Sequence, residues 1–329
     1  MNILRRMHNA IVANLDNPAR APVLDPRSRV IYALLVVIVA LEVLYFAFSN
    51  FYLGAYAIGS IYTMICAAIL FAFYLRRRHF TRVALIFEAF ALPGIAGGLA
   101  VIATTFLAAE SFPFIDETLN AADRALGFDF PALLQIYRDN PDLTVASQRI
   151  YISFGVQSIA VPMLLAICWR DERLWTYLTA WYLALFTAVA IFPFAPAAGP
   201  YVLHGVQEDV FGSLQRFFPW KTGPAIQALR DGTMRDIGEA ARGLVSIPSF
   251  HAIGGVLFIA ATWQFKWLKW PMLALNILMI CTVIITGSHY LIDAIAGIAT
   301  ALAAWWIAAR IVIRLGRKDQ ATAQPNSAV

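Results

Sequence analysis

Two short strings in this sequence combine ionisable and hydroxyl side chains with long apolar surroundings. The run Ile-Pro-Ser-Phe-His-Ala contains Ser249 and His251, and the run Gly-Ser-His-Tyr-Leu-Ile-Asp contains His289 and Asp293. Each run opens an apolar segment of membrane-spanning length. Polar side chains are costly to bury in lipid and persist there mainly where they have a function. These two strings are therefore the first candidates for a functional site.

The residue types and their spacing suggest acid–base and nucleophilic chemistry. His289 and Asp293 are four residues apart, which on a helix places them on one face within side-chain reach. A carboxylate there can accept a hydrogen bond from one imidazole nitrogen and leave the other free to attack or to carry a proton. His251 begins another helix, whose unpaired N–H groups would form an anion pocket together with Ser249. Two imidazoles and a carboxylate would then surround an oxyanion site.

Three other interpretations of these residues remain open at this point. A single intramembrane histidine can simply make an interhelical hydrogen bond. His251, His289 and Asp293 could also form an open three-ligand zinc site. A serine hydrolase built on Ser249 and His289 is the third alternative, although the sequence has no GxSxG nucleophile elbow.

Composition places the chain among membrane proteins. Of its 329 residues, 60% are hydrophobic and only 14% are charged, and the mean hydropathy is +0.67. The formal net charge of +5 comes from Lys and Arg residues that fall in short runs between apolar segments, as a bilayer requires. We therefore expect the membrane as the partner of this chain and no nucleic acid.

Eight windows have the roughly 20 apolar residues that a membrane span needs. They predict an all-α polytopic bundle of about eight transmembrane helices. The windows are 30–48, 54–75, 83–109, 147–169, 173–196, 249–265, 270–288 and 290–314.

The basic residues predict how the bundle is oriented. Of the 25 Lys and Arg residues, 17 fall in connections that would lie on one side of the membrane, so the positive-inside rule makes both termini cytoplasmic. The sixth and eighth windows then both begin at the outer face, where His251 and His289 can meet. No apolar run precedes residue 30, which argues against a cleaved signal peptide. We expect an integral protein of a bacterial inner (plasma) membrane with an outward, periplasmic site.

Two long connections would lie on the outer side. The segment 110–146 is acidic and has helix-like apolar spacing, and we interpret it as amphipathic surface helices that form a solvated cover. The segment 197–246 contains basic residues among turn signals and could close over the site as a lid.

The two strings together resemble a known family. Pro-Ser-x-His at Pro248–His251 and His-Tyr-x-x-Asp at His289–Asp293 resemble the second and third signature motifs of the type 2 phosphatidic acid phosphatase superfamily. Within it, the likeness is greatest to the inositol phosphorylceramide synthase branch. The resemblance implies a six-helix catalytic domain at 83–314. Segment 1–29 would then be cytoplasmic, 30–82 would add two transmembrane helices, and 315–329 would be a disordered cytoplasmic tail.

The resemblance also implies roles for the individual residues. His289 would be the nucleophile that forms a phosphohistidine, Asp293 would orient it, and His251 would protonate the leaving alkoxide. Ser249 would bind the phosphoryl oxygens. No metal and no cofactor is implied.

The implied activity is transfer or hydrolysis of a phosphate-linked lipid head group. The substrate would be a phospholipid, or a prenyl or sphingolipid phosphate. The likeness to the synthase branch favours a polyol or sugar such as inositol as acceptor, that is, an inositolphosphotransferase. A lipid phosphate phosphatase that uses water is the first alternative, and a non-enzymatic transporter or scaffold on the same fold is the second.

The chain departs from the family pattern where phosphate would be clamped. The stretch 193–201, equivalent to the first motif, has no basic residue, and the Ser-Arg pair of the third motif falls on Thr282 and Val283. Phosphoryl transfer needs cationic or N–H donors for the charge on its oxygens. The second outer connection offers replacements, of which Arg242 is nearest to the second motif and is our candidate phosphate-binding residue. The others are Arg216, Lys221, Arg230 and Arg235.

Overall fold

A computed structural model describes residues 25–52, 54, 56–207, 220–240 and 243–323 of the chain. These residues form thirteen α-helices and two short 3₁₀ turns, with no β-strand among them. The helices are α1 (Arg29–Phe48), α2 (Tyr56–Arg77), α3 (Thr81–Ala109), α4 (Asp116–Ala125), α5 (Phe130–Asp139), α6 (Pro141–Ile167), α7 (Asp171–Ile191), α8 (Pro200–Leu203), α9 (Thr222–Asp231), α10 (Ile237–Ala240), α11 (Phe250–Thr262), α12 (Lys269–Thr286) and α13 (Leu291–Ala323).

Six helices within the described residues are long and apolar enough to cross a membrane: α1, α3, α6, α7, α12 and α13. The expected all-α polytopic bundle is thereby confirmed, and the chain is an integral membrane protein. The expected window 54–75 overlaps α2, a helix of 22 residues that is not among these six. The window 249–265 does not form a full span, because α11 has only 13 residues. At 1.5 Å per residue it is about 20 Å long, shorter than the hydrocarbon core of roughly 30 Å.

A buried polar network joins the first three helices. Glu88 of α3 is 1% exposed and pairs with the guanidinium of Arg76 at the end of α2. The Arg76 Nε donates to Glu88 Oε1 at 3.1 Å, and the hydroxyl of Tyr32 on α1 donates to the same oxygen at 2.9 Å. A buried charge needs such partners, so Glu88 ties α1 and α2 to α3.

Close packing brings the two sequence strings together. Gly297 of α13 lies against the start of α11, where an added Cβ would be 2.6 Å from the carbonyl oxygen of Ser249. The backbone N–H of Ser249 also donates to the carbonyl of Asp293 at 3.0 Å. Since only glycine permits this approach of the two backbones, Gly297 sets the distance between the strings.

The outer segment and the C-terminus differ from expectation in detail. Helices α4 and α5 form within 110–146, as the periodicity predicted, but Asp116 and Asp123 of α4 are buried, at 7% and 2% exposed. The solvated-cover interpretation is therefore wrong for this face of α4. Helix α13 continues to Ala323, into the segment expected to be a disordered tail, and 324–329 lie outside the described residues.

Candidate active site

His289 and Asp293 are in contact, as the four-residue spacing predicted, but not on one helix. His289 lies in the loop before α13, and Asp293 lies in the first turn of that helix. The His289 Nδ1 is 3.3 Å from Asp293 Oδ2. Ser288 has a φ of +56°, which reverses the chain between α12 and α13 and turns His289 toward the helix start. His289 is 7% exposed, so its imidazole is held inside the protein.

The Asp293 carboxylate is fully buried and is fixed by two further donors. The Ser246 hydroxyl donates to Oδ2 at 2.6 Å, and the backbone N–H of Tyr290 donates to the same oxygen at 3.0 Å. Hydrogen bonds to an ionised acceptor are the strong ones. Asp293 is therefore positioned to hold His289 Nδ1 in one orientation, which leaves Nε2 for chemistry.

His251 lies in the first turn of α11 and is held by aromatic rings. Its imidazole stacks on Tyr151 with ring centroids 3.9 Å apart and planes 13° apart, and it packs against Phe154 at 4.2 Å. Ser249 precedes the helix as its N-cap, and its hydroxyl makes no capping hydrogen bond. That hydroxyl is buried and has no partner among the described residues.

Both histidines line one cavity of about 490 Å³. The sequence therefore predicted correctly that the two strings would meet. Three helices that the motifs do not contain supply much of the wall. They contribute Pro93, Gly97, Ala100, Val101 and Thr104 from α3, Tyr151, Phe154 and Ser158 from α6, and Trp181, Leu185 and Val189 from α7.

The arrangement of His251, His289 and Asp293 bears on the zinc alternative. Among the described residues, no group of three or more His, Cys, Asp or Glu side chains is arranged to hold a metal ion. The carboxylate instead faces one imidazole and a serine hydroxyl.

Helix α4 supports the site through two buried aspartates. Asp116 accepts hydrogen bonds from the backbone N–H groups of Ala198 and Gly199, at 2.9 and 2.8 Å, and from the Tyr290 hydroxyl at 2.8 Å. Asp123 accepts from the N–H groups of Leu291 and Ile292, at 2.8 and 2.9 Å.

Asp123 thus caps the first turn of α13 from another helix, which satisfies N–H groups that have no partner in their own helix. The residues that directly follow His289 are therefore fixed by both aspartates of α4.

Burial raises the pKa of two residues that support the site, Asp123 and Tyr290. It raises the pKa of the Asp123 carboxyl above its ordinary value, and the backbone donors at Leu291 and Ile292 only partly offset this. Burial and the nearby Asp116 raise the pKa of the Tyr290 hydroxyl. Tyr290 therefore stays protonated at neutral pH and can donate to Asp116.

Two of the five candidate basic residues make contacts away from the cavity. Arg230 donates to the Ser111 hydroxyl at 3.1 Å and to the carbonyl of Phe112, so it braces the end of α3. Arg235 lies over the ring of Phe51, at 5.0 Å from its centroid.

Of the other three basic candidates, Lys221 alone lies within the described residues. Lys221 is exposed, although its neighbour Thr222 lines the cavity. Arg216 and Arg242 lie outside the described residues. The described residues that line the cavity include no Lys or Arg.

Comparison with protein families assigns the chain. The family model described as the PAP2 superfamily matches residues 117–307, which is more than half of the sequence. The chain belongs to the PAP2 superfamily. No curated protein and no solved structure matches it.

Membership in the PAP2 superfamily indicates a phosphatase or phosphotransferase type of activity on lipid phosphates. The match begins inside α4, ends inside α13, and includes Ser249, His251, His289 and Asp293. Helices α1, α2 and α3 lie outside it, although α3 forms one wall of the cavity. This PAP2 chain therefore builds part of its cavity from a helix that the family model does not cover.

Three supporting residues were not recognised in the sequence: Asp116, Asp123 and Ser246. One signal for the aspartates was present, because Asp116, Leu119 and Asp123 fall on one face of α4 and Leu119 is 4% exposed. Acidic residues at the apolar positions of an amphipathic helix need buried partners. Ser246 has no comparable signal, since a serine three residues before the N-cap serine is compatible with any loop.

Proposed function

We propose that this PAP2 protein is a membrane lipid phosphotransferase that works through a phosphohistidine, most like the inositol phosphorylceramide synthase branch. One observation carries the proposal: the Asp293 carboxylate contacts His289 Nδ1 at 3.3 Å while the same imidazole lines a cavity shared with His251. A nucleophile oriented by a carboxylate, with a second proton-transfer group opposite, is the arrangement that covalent catalysis requires.

In the first step, His289 Nε2 attacks the phosphorus of a lipid phosphoester. The N–P bond forms as the bond from phosphorus to the leaving oxygen breaks, and His251 donates to that oxygen the proton that it takes up when the phosphate anion binds in the cavity. Asp293 stabilises the positive charge that develops on the His289 ring, since its carboxylate already faces Nδ1. The product of this step is a phosphohistidine and a free alcohol.

In the second step, an acceptor hydroxyl attacks the phosphohistidine. Neutral His251 takes the acceptor proton, the new P–O bond forms and the N–P bond breaks. This returns both histidines to their starting states. An acceptor alcohol such as inositol or a sugar makes the protein a transferase, whereas water would make it a phosphatase.

The cavity walls support a lipid as the donor. Pro93, Gly97 and Ala100 of α3 line a largely apolar space together with Trp181 and Leu185 of α7. Burial of an acyl or prenyl chain in such a space is favourable, because apolar surface of the chain is removed from water. We place the cavity opening at the outer face of the membrane and both termini in the cytoplasm, with 83–314 as the catalytic domain.

Two residues from the sequence analysis are proposed to bind phosphate. Ser249 has a buried hydroxyl without a described partner at the start of α11, where helix N–H groups favour an anion. Arg242 is followed in sequence by Gly243, which lines the cavity.

Turnover of a labelled phospholipid, with and without added polyols or sugars, tests the proposal. We expect head-group exchange that depends on the acceptor, and a phosphoenzyme that is acid-labile and base-stable. Release of free phosphate without dependence on an acceptor would instead support the phosphatase. Lack of turnover with every phospholipid and prenyl or sphingolipid phosphate offered would favour a non-enzymatic role.

The His289→Ala variant should abolish both turnover and the phosphoenzyme. His79→Asn is a matched control, because His79 lies in the connection between α2 and α3 with a φ of +66°, which asparagine tolerates. A fully active His289→Ala protein would overturn the nucleophile assignment.

A further inference from the structure

Two hydroxyl groups beside His289 lack the partners that such groups normally have. Thr286 is 1% exposed, and neither its Oγ1 nor the buried Ser288 Oγ has a hydrogen-bond partner among the described residues. A helical threonine usually donates to a carbonyl one turn earlier. Thr282, on the same face of α12, does this to the carbonyl of Met279 at 2.8 Å.

A buried hydroxyl without a partner costs about 1–3 kcal/mol, so it needs an explanation.

The position of these groups supplies an explanation. Thr286, Ser288, His289 and His251 all line the same cavity. Thr286 is the last residue of α12, and Ser288 immediately precedes His289. Both hydroxyls therefore belong to the segment that delivers the imidazole, and both residues line the space where a substrate would lie.

The loop around Gly199 holds the Ser288 hydroxyl in place. Gly199 has a φ of +102°, and a Cβ added there would lie 2.5 Å from Ser288 Oγ. Only glycine leaves room for this hydroxyl. The Gly199 backbone is in turn fixed by Asp116, which accepts its N–H at 2.8 Å. Ser288 is thus held against the Gly199 backbone, which Asp116 fixes.

The chemistry of phosphoryl transfer matches these donors. Negative charge spreads over three equatorial oxygens in the transition state. Preorganised donors that point to those oxygens from a water-excluded site give large stabilisation. A hydroxyl that donates to an anionic oxygen makes a short, strong hydrogen bond.

We propose that Thr286 and Ser288 donate hydrogen bonds to the non-bridging oxygens of the lipid phosphoester that His289 attacks. The inference rests on the proposed function and deepens it, because it identifies neutral hydroxyls as part of the phosphate-binding site. The two residues form a hydroxyl cradle at the end of α12, in addition to Ser249 at the start of α11.

The test compares Thr286→Val with Thr282→Val. Valine matches the shape of threonine but has no hydroxyl. In Thr286→Val we expect kcat/KM to fall on the order of 10², as for the loss of other oxyanion donors. We also expect an unfolding midpoint that is unchanged or higher, since a buried unpaired group has been removed. Thr282→Val should keep its activity and have a lower midpoint, because it loses a satisfied hydrogen bond.

Ser288 is tested with Ser288→Gly, which suits the positive φ and removes only the hydroxymethyl group. It should lower kcat/KM in the same direction as Thr286→Val without a lower unfolding midpoint. Unchanged kcat/KM in both Thr286→Val and Ser288→Gly would overturn the cradle.

Binding of inorganic phosphate separates this inference from the proposed function. Phosphate binding is measured in His289→Ala and in His289→Ala/Thr286→Val, neither of which can turn over by the proposed route. A roughly tenfold weaker affinity in the double variant is expected, and equal affinities would contradict the cradle. Activity that persists in His289→Ala would contradict only the proposed nucleophile.

Discussion

The Tyr290 hydroxyl donates a 2.8 Å hydrogen bond to Asp116, a residue 174 positions earlier in the chain. The same carboxylate holds the backbone of Ala198 and Gly199. One buried aspartate therefore joins a surface helix to two loops of the candidate site, one of which carries His289.

Replacing Asp116 with alanine should damage both stability and activity. The change leaves three donors without an acceptor, and each unsatisfied buried group costs about 1–3 kcal/mol. We expect a clearly lower unfolding midpoint in detergent and a loss of turnover on the order of tenfold or more. Glu117→Ala is the matched control, because Glu117 is the exposed neighbour on the same helix. Equal unfolding midpoints for Asp116→Ala and Glu117→Ala would contradict the proposed role of Asp116 in bracing the site.

Ser246→Ala should slow catalysis more than it affects folding. The Ser246 hydroxyl donates to Asp293 Oδ2 at 2.6 Å, and a hydrogen bond to a charged group contributes about 1.5–3 kcal/mol. We expect kcat to fall roughly tenfold with little change in KM. Ser153→Ala serves as the control, since the Ser153 hydroxyl donates to the carbonyl of Ile150 in its own helix. If kcat of Ser246→Ala equals that of the control, Ser246 does not position Asp293.

The buried pair of Arg76 and Glu88 should behave differently in single and double variants. Glu88→Ala leaves a buried guanidinium unpaired, and loss of one partner of such a pair costs about 3–5 kcal/mol. Replacing both residues with methionine removes both charges and should restore most of that stability. Denaturant titration gives the free energy of unfolding of the wild type, of Glu88→Ala and of the double methionine variant. A double variant as unstable as Glu88→Ala would show that the pair does not act as a unit.

Stability near pH 6 should depend on His204. Its Nε2 is 3.2 Å from Asn120 Oδ1, and its ring stacks on Phe130 at 5.5 Å. Burial, with a contribution from Arg124, lowers the His204 pKa below 6.5. The unfolded chain therefore takes up this proton first as the pH falls. The stability that neutral His204 contributes is fully present above pH 6.5. It is lost as the pH falls from 6.5 through the lowered pKa of the folded state.

His204→Gln should remove this contribution. Unfolding midpoints measured between pH 7.5 and 5 should fall less steeply in the variant than in the wild type. If the unfolding midpoints of the variant and the wild type fall equally steeply with pH, His204 is not the source of this pH dependence.

Chelators should leave turnover unchanged. The proposed route uses His289 and His251 without a metal, whereas a zinc site on the same residues would lose its ion and its activity. Incubation with phenanthroline followed by a turnover assay tests this. Inactivation that added zinc reverses would revive the three-ligand interpretation of His251, His289 and Asp293.

Some features follow from local sequence alone. Apolar windows of span length predicted the helical membrane bundle, because bilayer thickness sets a local length requirement that the sequence must meet. The HxxxD spacing predicted the contact of His289 and Asp293, because four residues span one turn. That contact survives although His289 lies before the helix. The length of α11 was overestimated, since apolar residues continue past its end while the helix does not.

Only the tertiary structure decided which polar residues support the site. Asp116 and Asp123 share one face of α4 with Leu119, which indicates burial, but the sequence does not show their partners, because these lie far along the chain at 198–199 and 290–292. Ser246 and Thr286 have no such signal in the sequence, because a hydroxyl is compatible with loops, helices and pockets alike. Long-range packing determines whether such a group finds a partner or faces a cavity, and periodicity carries no information about it.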